Sequence, residues 1–149
     1  MATSSQPVRV IQWATGKIGQ ISIRHFASNP MFELKGVYTT SADKDGVDAG
    51  IIAGIGPIGV AATTDKAAIL ALDADCVNYL PLAVDVDDLE SLLRSGKNVV
   101  TAVGLTFPPP DDERTVRLRT ACEAGGPRCM AAAFTRASSA TSSRSSAPG

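Results

Sequence analysis

The sequence predicts an α/β doubly wound domain, a parallel sheet covered by helices on both faces. Three observations predict it. Short apolar, β-branched runs alternate with stretches whose apolar residues recur at helical spacing. The links between them are short, which suits parallel strands joined by crossover helices. The first turn, within "IQWATGKIGQ", puts Ala14, Gly16 and Gly19 directly after a strand and at the opening of a helix.

Taken in order, "VRVIQWATG" opens with a buried strand from Val8 to Trp13 and runs into a small-residue turn. From Lys17 the apolar residues Ile18, Ile21, Phe26 and Ala27 recur at near-helical spacing, and Asn29-Pro30 stops the helix, because a proline disfavours helical geometry at the residue before it. "MFELKGVYTT" alternates Phe32 and Leu34 with Glu33 and Lys35, a second strand that completes one βαβ unit. After the loop "SADKDGVDAG" comes a short glycine-punctuated helix in "DAGIIAG", then a brief edge strand or extended link in "GVAATTD". Thr64 or Asp65 is placed to cap a short helix beginning near Lys66. "ADCVNYLP" is a central strand and "KNVVTAVG" another. Between them "DVDDLESLLRSG" is a helix with acids in its first turn, Leu89, Leu92 and Leu93 on one face and Gly96 at its stop. Beyond Pro108 to Pro110, "DDERTVRLRTACEAGG" is a helix starting at Asp111 and stopping at Gly125-Gly126. There is no internal repeat.

At 149 residues, 44% hydrophobic and 19% charged, the chain suits one soluble globular domain with a core. A formal net charge of -1 argues against nucleic-acid or anionic-membrane partners, which want a basic excess. Every acid lies at or before Glu123, whereas Arg128, Arg136 and Arg144 follow it. Cys76, Cys122 and Cys129 are too few and too scattered for a disulfide framework, and Cys76, in an apolar run, and Cys122, in a helix, are expected as buried free thiols. With no long apolar segment and no leader-like start, a cytoplasmic location is expected.

The glycine turn carries the chemistry. A dinucleotide needs a tight first turn, a glycine where backbone approaches the pyrophosphate, and a glycine where helix packs on strand. Gly16 and Gly19 meet the second and third demands, and the phosphates would sit at the helix N-terminus near Lys17 and Ile18. Ala14 replaces the first glycine, which alanine fits if its φ stays negative. At the end of the second strand an NAD site would place an acid for the ribose hydroxyls; "VYTTSADK" instead offers Thr39, Thr40, Ser41 and the charge of Lys44, with no carboxylate before Asp43. NADP(H) is therefore expected over NAD(H).

The single histidine, His25, lies inside the first helix and is expected to be structural or exposed. Asp85, Asp87, Asp88 and Glu90 read as favourable charges at a helix N-terminus, so no metal site is expected. No catalytic residue can be assigned from spacing.

The stretches "VRVIQWATGKIGQ", "FELKGVYTTSADKDGVDAG", "GVAATTD", "LDADCVNYLP" and "DVDDLESLLRSGKNVVT" resemble the dihydrodipicolinate-reductase-like family, the group that includes 2,4-diaminopentanoate dehydrogenase and related amine dehydrogenases. The resemblance runs from about Val8 to Gly126. It implies a Rossmann-like fold and a nicotinamide-dependent oxidoreductase acting on a C=N or C–N bond, with a separate C-terminal substrate domain. It further implies that Ala14, Thr15, Gly16, Lys17, Ile18 and Gly19 hold the pyrophosphate and that Thr40, Ser41 and Lys44 face the adenosine ribose. Leu80, Pro81 and the turn from Thr101 to Gly104 would approach the nicotinamide side. An amine or imine substrate is implied only for a chain of full length.

In the relatives the segment after "CEAGG" resembles T-S-L-H-G-S-G-I-H-P-G-F-I-G-D, whereas this chain has "PRCMAAAFTRASSAT". Reading each codon one base earlier reconciles the two. The Met130–Ala131 junction must encode glycine, Cys129–Met130 permits histidine, and the junctions onward to Thr141 permit Ser, Gly, Ile, His, Pro, Gly, Phe, Ile, Gly and Asp in register. A single-base loss near the codons for Gly126 and Pro127 is expected, leaving residues 1–126 as a dinucleotide-binding domain and 127–149 as a disordered, out-of-frame tail. The sheet would then be incomplete, the chain inactive although an NADP-dependent oxidoreductase by ancestry, and its exposed edge prone to self-association. The alternative is a non-catalytic dinucleotide-binding fragment or pseudogene product.

Overall fold

A computed structural model describes residues 6–101 and 111–125. The chain divides into two compact units, Met1–Pro81 and Leu82–Gly149.

The first unit is a parallel sheet. Its strands are β1 (Val8–Trp13), β2 (Phe32–Tyr38), β3 (Ala62–Thr63) and β4 (Cys76–Tyr79), and they lie in the order β3-β2-β1-β4. Helices α1 (Lys17–Ser28), α2 (Ala49–Ala53) and α3 (Lys66–Ala71) form the crossovers. They divide between the two faces, as the expected doubly wound arrangement requires. Val37 faces the side of α1 and α2, where Ile23, Ala49, Ala53 and Ala62 form a buried cluster with Leu34 and Ile52 against it. The neighbouring Gly36 faces α3: a Cβ there would stand 2.4 Å from a methyl of Leu72 and 3.3 Å from one of Ile69.

Leu34 and Val37 share a face although three positions separate them, and strict strand alternation forbids that. The register explains it. Val10 pairs with Leu34 and the next residue, Ile11, with Gly36, so Lys35 is an extra residue in β2. The bulge returns Val37 to the face of Leu34 and brings Tyr38 level with Trp13.

The apolar residues that announce α1 do not form its inner face. Ile18 and Ile21 are 60% and 53% exposed, Ala27 is exposed and Phe26 half-buried, while Gly19 and Ile23 are buried. Gly19 sets the rotation of the helix, because it must face the β1 loop. At 100° per residue Ile23 and Phe26 then turn inward and Ile18 and Ile21 outward. Full burial of Ile23 contributes about 2 kcal/mol.

Caps behave as their residue types suggest. Asp65 accepts from the N–H groups of Ala67 and Ala68 at 3.0 and 3.2 Å, and so is the residue that caps α3. Asp48 caps α2, and Gly54 ends that helix in the left-handed conformation. An ion pair from Arg9 to Asp75 (2.9 Å) and a second to Asp73 tie β1 to the entry of β4.

The second unit contains α4 (Val86–Arg94), β5 (Asn98–Thr101) and α5 (Glu113–Gly125). Asp85 caps α4 through the N–H groups of Asp87 and Asp88, which accounts for the acidic run as helix-start chemistry. Gly96 follows the cap residue Ser95 at φ 86° and reverses the chain into β5. Leu89, Leu92 and Leu93 of α4 and Leu118 and Ala121 of α5 are buried at helical spacing where the two helices pack. Arg117 reaches across to Asp87 at 2.6 Å and Glu90 at 3.1 Å. The N–H of Arg114 is taken by Asp112 at 2.8 Å, so Asp112 and not Asp111 begins α5.

Among the described residues no helix is long and apolar enough to cross a membrane. Cys76 and Cys122 are half-buried free thiols rather than fully buried ones. Cys129 and the segment 127–149 lie outside the described residues.

Candidate functional site

The carboxyl ends of β1, β2 and β4 lie side by side, and the candidate residues of the first unit gather there. Parallel strands place this edge opposite helix N-termini, the usual location of a ligand crevice in such sheets. Below it lies an aromatic layer. Trp13 stacks on Tyr38 with ring centroids 4.1 Å apart, and Tyr79 stands 5.8 Å away on the other side. All three are buried and pair in register at the strand ends. The Lys66 ammonium lies 5.9 Å above the Tyr38 ring.

From Trp13 the chain turns through Ala14, Thr15 and Gly16 into α1. The condition under which Ala14 fits this position without strain, a negative φ, is not met. Its φ is 86°, and it is the one residue other than glycine with a positive φ among the described residues. The cause lies in its neighbours. The Ala14 N–H donates to the Tyr38 carbonyl at 2.9 Å, extending the β1–β2 ladder one step. Its own carbonyl is directed beneath α1, and a Cβ on Gly19 would stand 2.2 Å from that oxygen. The contact is with backbone, which shifts only at a cost, so the third position of the motif favours glycine strongly.

Gly16 differs. Its φ is -69° and a Cβ there would meet nothing within 4 Å, so its own chain does not demand a glycine at this place. The space lies open at the N-terminus of α1, where no side chain caps the helix and the first turn holds no acid. Uncapped N–H groups and the positive end of the helix dipole make this an anion-accepting position. Lys17 and Ile18, both exposed, form the first turn.

The end of β2 meets this loop. The Thr15 and Thr39 hydroxyls lie 3.0 Å apart, and Thr39 Oγ1 accepts the Ser41 N–H at 3.2 Å. The Lys44 ammonium, carried on a short 3-10 turn (Ala42–Lys44), donates to the Thr15 carbonyl at 3.2 Å and to its hydroxyl at 3.3 Å. Lys44 is thus half-buried and directed at the glycine loop, not a solvated loop lysine. Thr40 is exposed and Ser41 half-buried at the same edge. Thr39, offered by the sequence as a ligand donor, is 1% exposed, and its hydroxyl is spent on holding the loop.

Leu80 and Pro81 leave the end of β4 beside this loop, and the Leu80 N–H donates to the Trp13 carbonyl at 3.1 Å. Thr101 ends β5 in the second unit, and Gly104 lies outside the described residues. His25 is exposed on α1, against Phe26 and Phe32.

Two supporting residues escaped sequence reasoning. Gln12 is fully buried; its Nε2 donates to the Ala14 carbonyl at 3.0 Å and the Trp13 carbonyl at 3.2 Å, while its Oε1 accepts from Asn78 at 2.8 Å. A glutamine inside an apolar strand run was the available signal. Asp48 accepts from the N–H groups of Gly50, Ile58 and Gly59 at 2.7, 2.9 and 2.7 Å. These bonds, that from Ile58 foremost, hold its carboxyl below the ordinary carboxylate range against the opposing pull of desolvation.

No family profile matches the chain. It is 38% identical over 76 residues to the 4-hydroxy-tetrahydrodipicolinate reductase of Synechococcus elongatus, a match covering 51% of this chain and 28% of the reductase. The same figures hold for that enzyme from another Synechococcus strain. The chain thus spans under a third of these curated relatives. Among solved structures, the amine dehydrogenase of Mycobacterium smegmatis superposes with a TM-score of 0.72 at 22% identity, over 80% of this chain and 37% of that one. A biliverdin reductase from Synechocystis, solved with biliverdin and NADP+, gives 0.58 at 21% identity, over 80% of this chain and 36% of its own. A 3-ketoreductase from Actinomadura kijaniata, solved with NADP, gives 0.59 at 21%, over the same shares of the two chains. In sequence over half its length, and in fold over the greater part of it, the chain is similar to the N-terminal dinucleotide-binding domain of the dihydrodipicolinate-reductase-like family.

Proposed function

We propose that residues 1–126 form a nicotinamide-dinucleotide-binding domain that prefers NADP(H). One observation carries the reading: the uncapped N-terminus of α1 opens beside Gly16, where no atom lies within 4 Å of a built Cβ, with the Lys44 cation at the neighbouring strand end. A pyrophosphate at the first turn would receive the N–H groups near Lys17 and Ile18, and Gly19 would let the helix approach closely enough to present them. Thr40, Ser41 and Lys44 would meet the 2′-phosphate of the adenosine ribose, and no carboxylate lies between Tyr38 and Asp43 to repel it. Leu80 and Pro81, at the carboxyl end of β4, would border the nicotinamide.

The reaction belongs to the oxidoreductases. Bound NADPH supplies a hydride, and the relatives suggest a C=N or C–N bond as its destination. The substrate would then be an amine or imine, bound by residues of a further domain, and turnover would take place in the cytoplasm. A second reading, a dinucleotide-binding fragment without turnover, applies if the segment from Cys129 onward is translated in its own frame. Sequencing the gene from the codons of "CEAGG" onward separates the two: a shifted frame that stays open for another domain's length identifies a broken dehydrogenase.

Titration of the full chain with NADPH and with S-adenosylmethionine tests the binding class. Saturable binding of NADPH alone is expected. Binding of S-adenosylmethionine alone would replace this reading with a methyltransferase-like one.

A further inference from the structure

We infer that Gln12 is a positioning residue for the dinucleotide loop, a buried amide clamp that holds Ala14 in a conformation an alanine otherwise avoids; the inference rests on the dinucleotide reading above. Ala14 sits at φ 86°, where the Cβ of an L-residue crowds its own backbone. The motif's usual glycine would occupy that region without cost. Something must therefore hold the alanine there, and the Gln12 side chain contacts both carbonyls that the turn displaces. Its Nε2 bonds to Trp13 O and Ala14 O at 3.2 and 3.0 Å, the second being the oxygen that Gly19 must clear.

The amide has one workable orientation. Oε1 accepts the Asn78 Nδ2 at 2.8 Å, so Nε2 must face the loop; the reverse would set an oxygen against two carbonyl oxygens and a nitrogen against a nitrogen. Asn78 on β4 thus orients Gln12 on β1, and Gln12 fixes the turn that aims the first N–H groups of α1. Gln12 is fully buried, so no water replaces a lost donor readily. The pair Gln12 and Ala14 form a unit, in which the amide compensates for the methyl group.

A double-mutant cycle separates clamp from filler. Wild type, Gln12→Met, Ala14→Gly and the double variant are compared by NADPH dissociation constant and by urea midpoint. Methionine keeps the length and bulk of the side chain and removes both polar groups. Q12M is expected to weaken NADPH binding about tenfold alone and about twofold in the A14G background, since glycine holds a positive φ unaided. The urea midpoint is expected to fall more in the first background than in the second. If Q12M does not fold, Asn78→Ala, which removes the partner of Oε1 and loosens the amide, takes its place in the same cycle. Equal effects in both backgrounds, or none in either, would overturn the inference. Absence of NADPH binding by wild type and A14G alike would overturn the dinucleotide reading instead, and the midpoint comparison would still decide whether the clamp exists.

Discussion

The Lys44 ammonium lies 3.2 Å from the Thr15 carbonyl oxygen and 3.3 Å from its hydroxyl, joining the end of β2 to the turn after β1 across 29 residues of sequence. The one lysine of the 3-10 turn is thereby aimed at the glycine loop, where the adenosine end of a dinucleotide would lie. A 2′-phosphate would offer this cation a charged acceptor in place of a neutral carbonyl. Lys44→Met is expected to raise the NADPH dissociation constant about tenfold, the worth of one charge-assisted hydrogen bond. NADH, which has no 2′-phosphate, should change by less than about twofold. Parallel fluorescence titrations check this, and equal losses for the two nucleotides would remove Lys44 from the phosphate site.

Gly19 and Ala14 make opposite demands on side-chain size. Gly19→Ala places a methyl 2.2 Å from the Ala14 carbonyl and must displace either the loop or the helix. A stability loss of about 3 kcal/mol is expected, measured by urea denaturation. Ala14→Gly relieves a positive φ and should stabilise by roughly 0.5–1 kcal/mol, after the entropy that glycine adds to the unfolded chain.

Asp48 gives the fold a dependence on acid. Its carboxyl is held low by three N–H donors, so in the folded state it stays ionised below the unfolded value. A depressed folded pKa contributes stability that is present above the unfolded value of about 3.9 and is lost as pH falls through the folded value. Asp48→Asn should be less stable than wild type at neutral pH, and the gap should close below about pH 4. Thermal melts between neutral pH and the acid transition measure it; a gap that persists in acid would assign the effect to shape alone.

Cys76 predicts the reverse at alkaline pH. Burial, and to a smaller degree the charge of Asp75, pushes its thiol up to about 11 from 9.0. The native thiol stays protonated where the unfolded one ionises, so its contribution to stability declines from pH 9.0 upward and levels off near 11. The difference between wild type and Cys76→Ala isolates this slope. At pH 8 the native thiol should label slowly with a disulfide reagent and quickly in urea. Equal labelling rates in the two states would contradict the burial.

The sequence announced what local pattern carries. Alternating strand and helix runs, a cap at Thr64 or Asp65, the acidic helix start from Asp85, and the glycine turn after Trp13 all depend on residues within one or two turns of each other, and the structure has them, with Asp65 as the cap. Contacts between distant segments were hidden. Ile18 and Ile21 looked like a core face, yet Gly19 pressing on the Ala14 carbonyl turned them to solvent. The bulge at Lys35 depends on the register with β1, which the alternation of Phe32 and Leu34 cannot report. The positive φ of Ala14 was not legible, because its conformation depends on Tyr38, Gln12 and Gly19 together. Within the candidate site, Lys44 and the loop residues Ala14 to Gly19 lie together, whereas the Thr39 hydroxyl is turned into the scaffold and Gln12 matches no motif.

The central claim is that the turn from Ala14 to Gly19 holds a dinucleotide's phosphates. The most direct measurement is an NMR titration of the isotope-labelled chain with NADPH, following backbone amide resonances. Saturable shifts concentrated at residues 14–19 and 40–44, with those of α5 unchanged, are predicted. Shifts that do not saturate, or that saturate elsewhere while the glycine turn stays still, would contradict it.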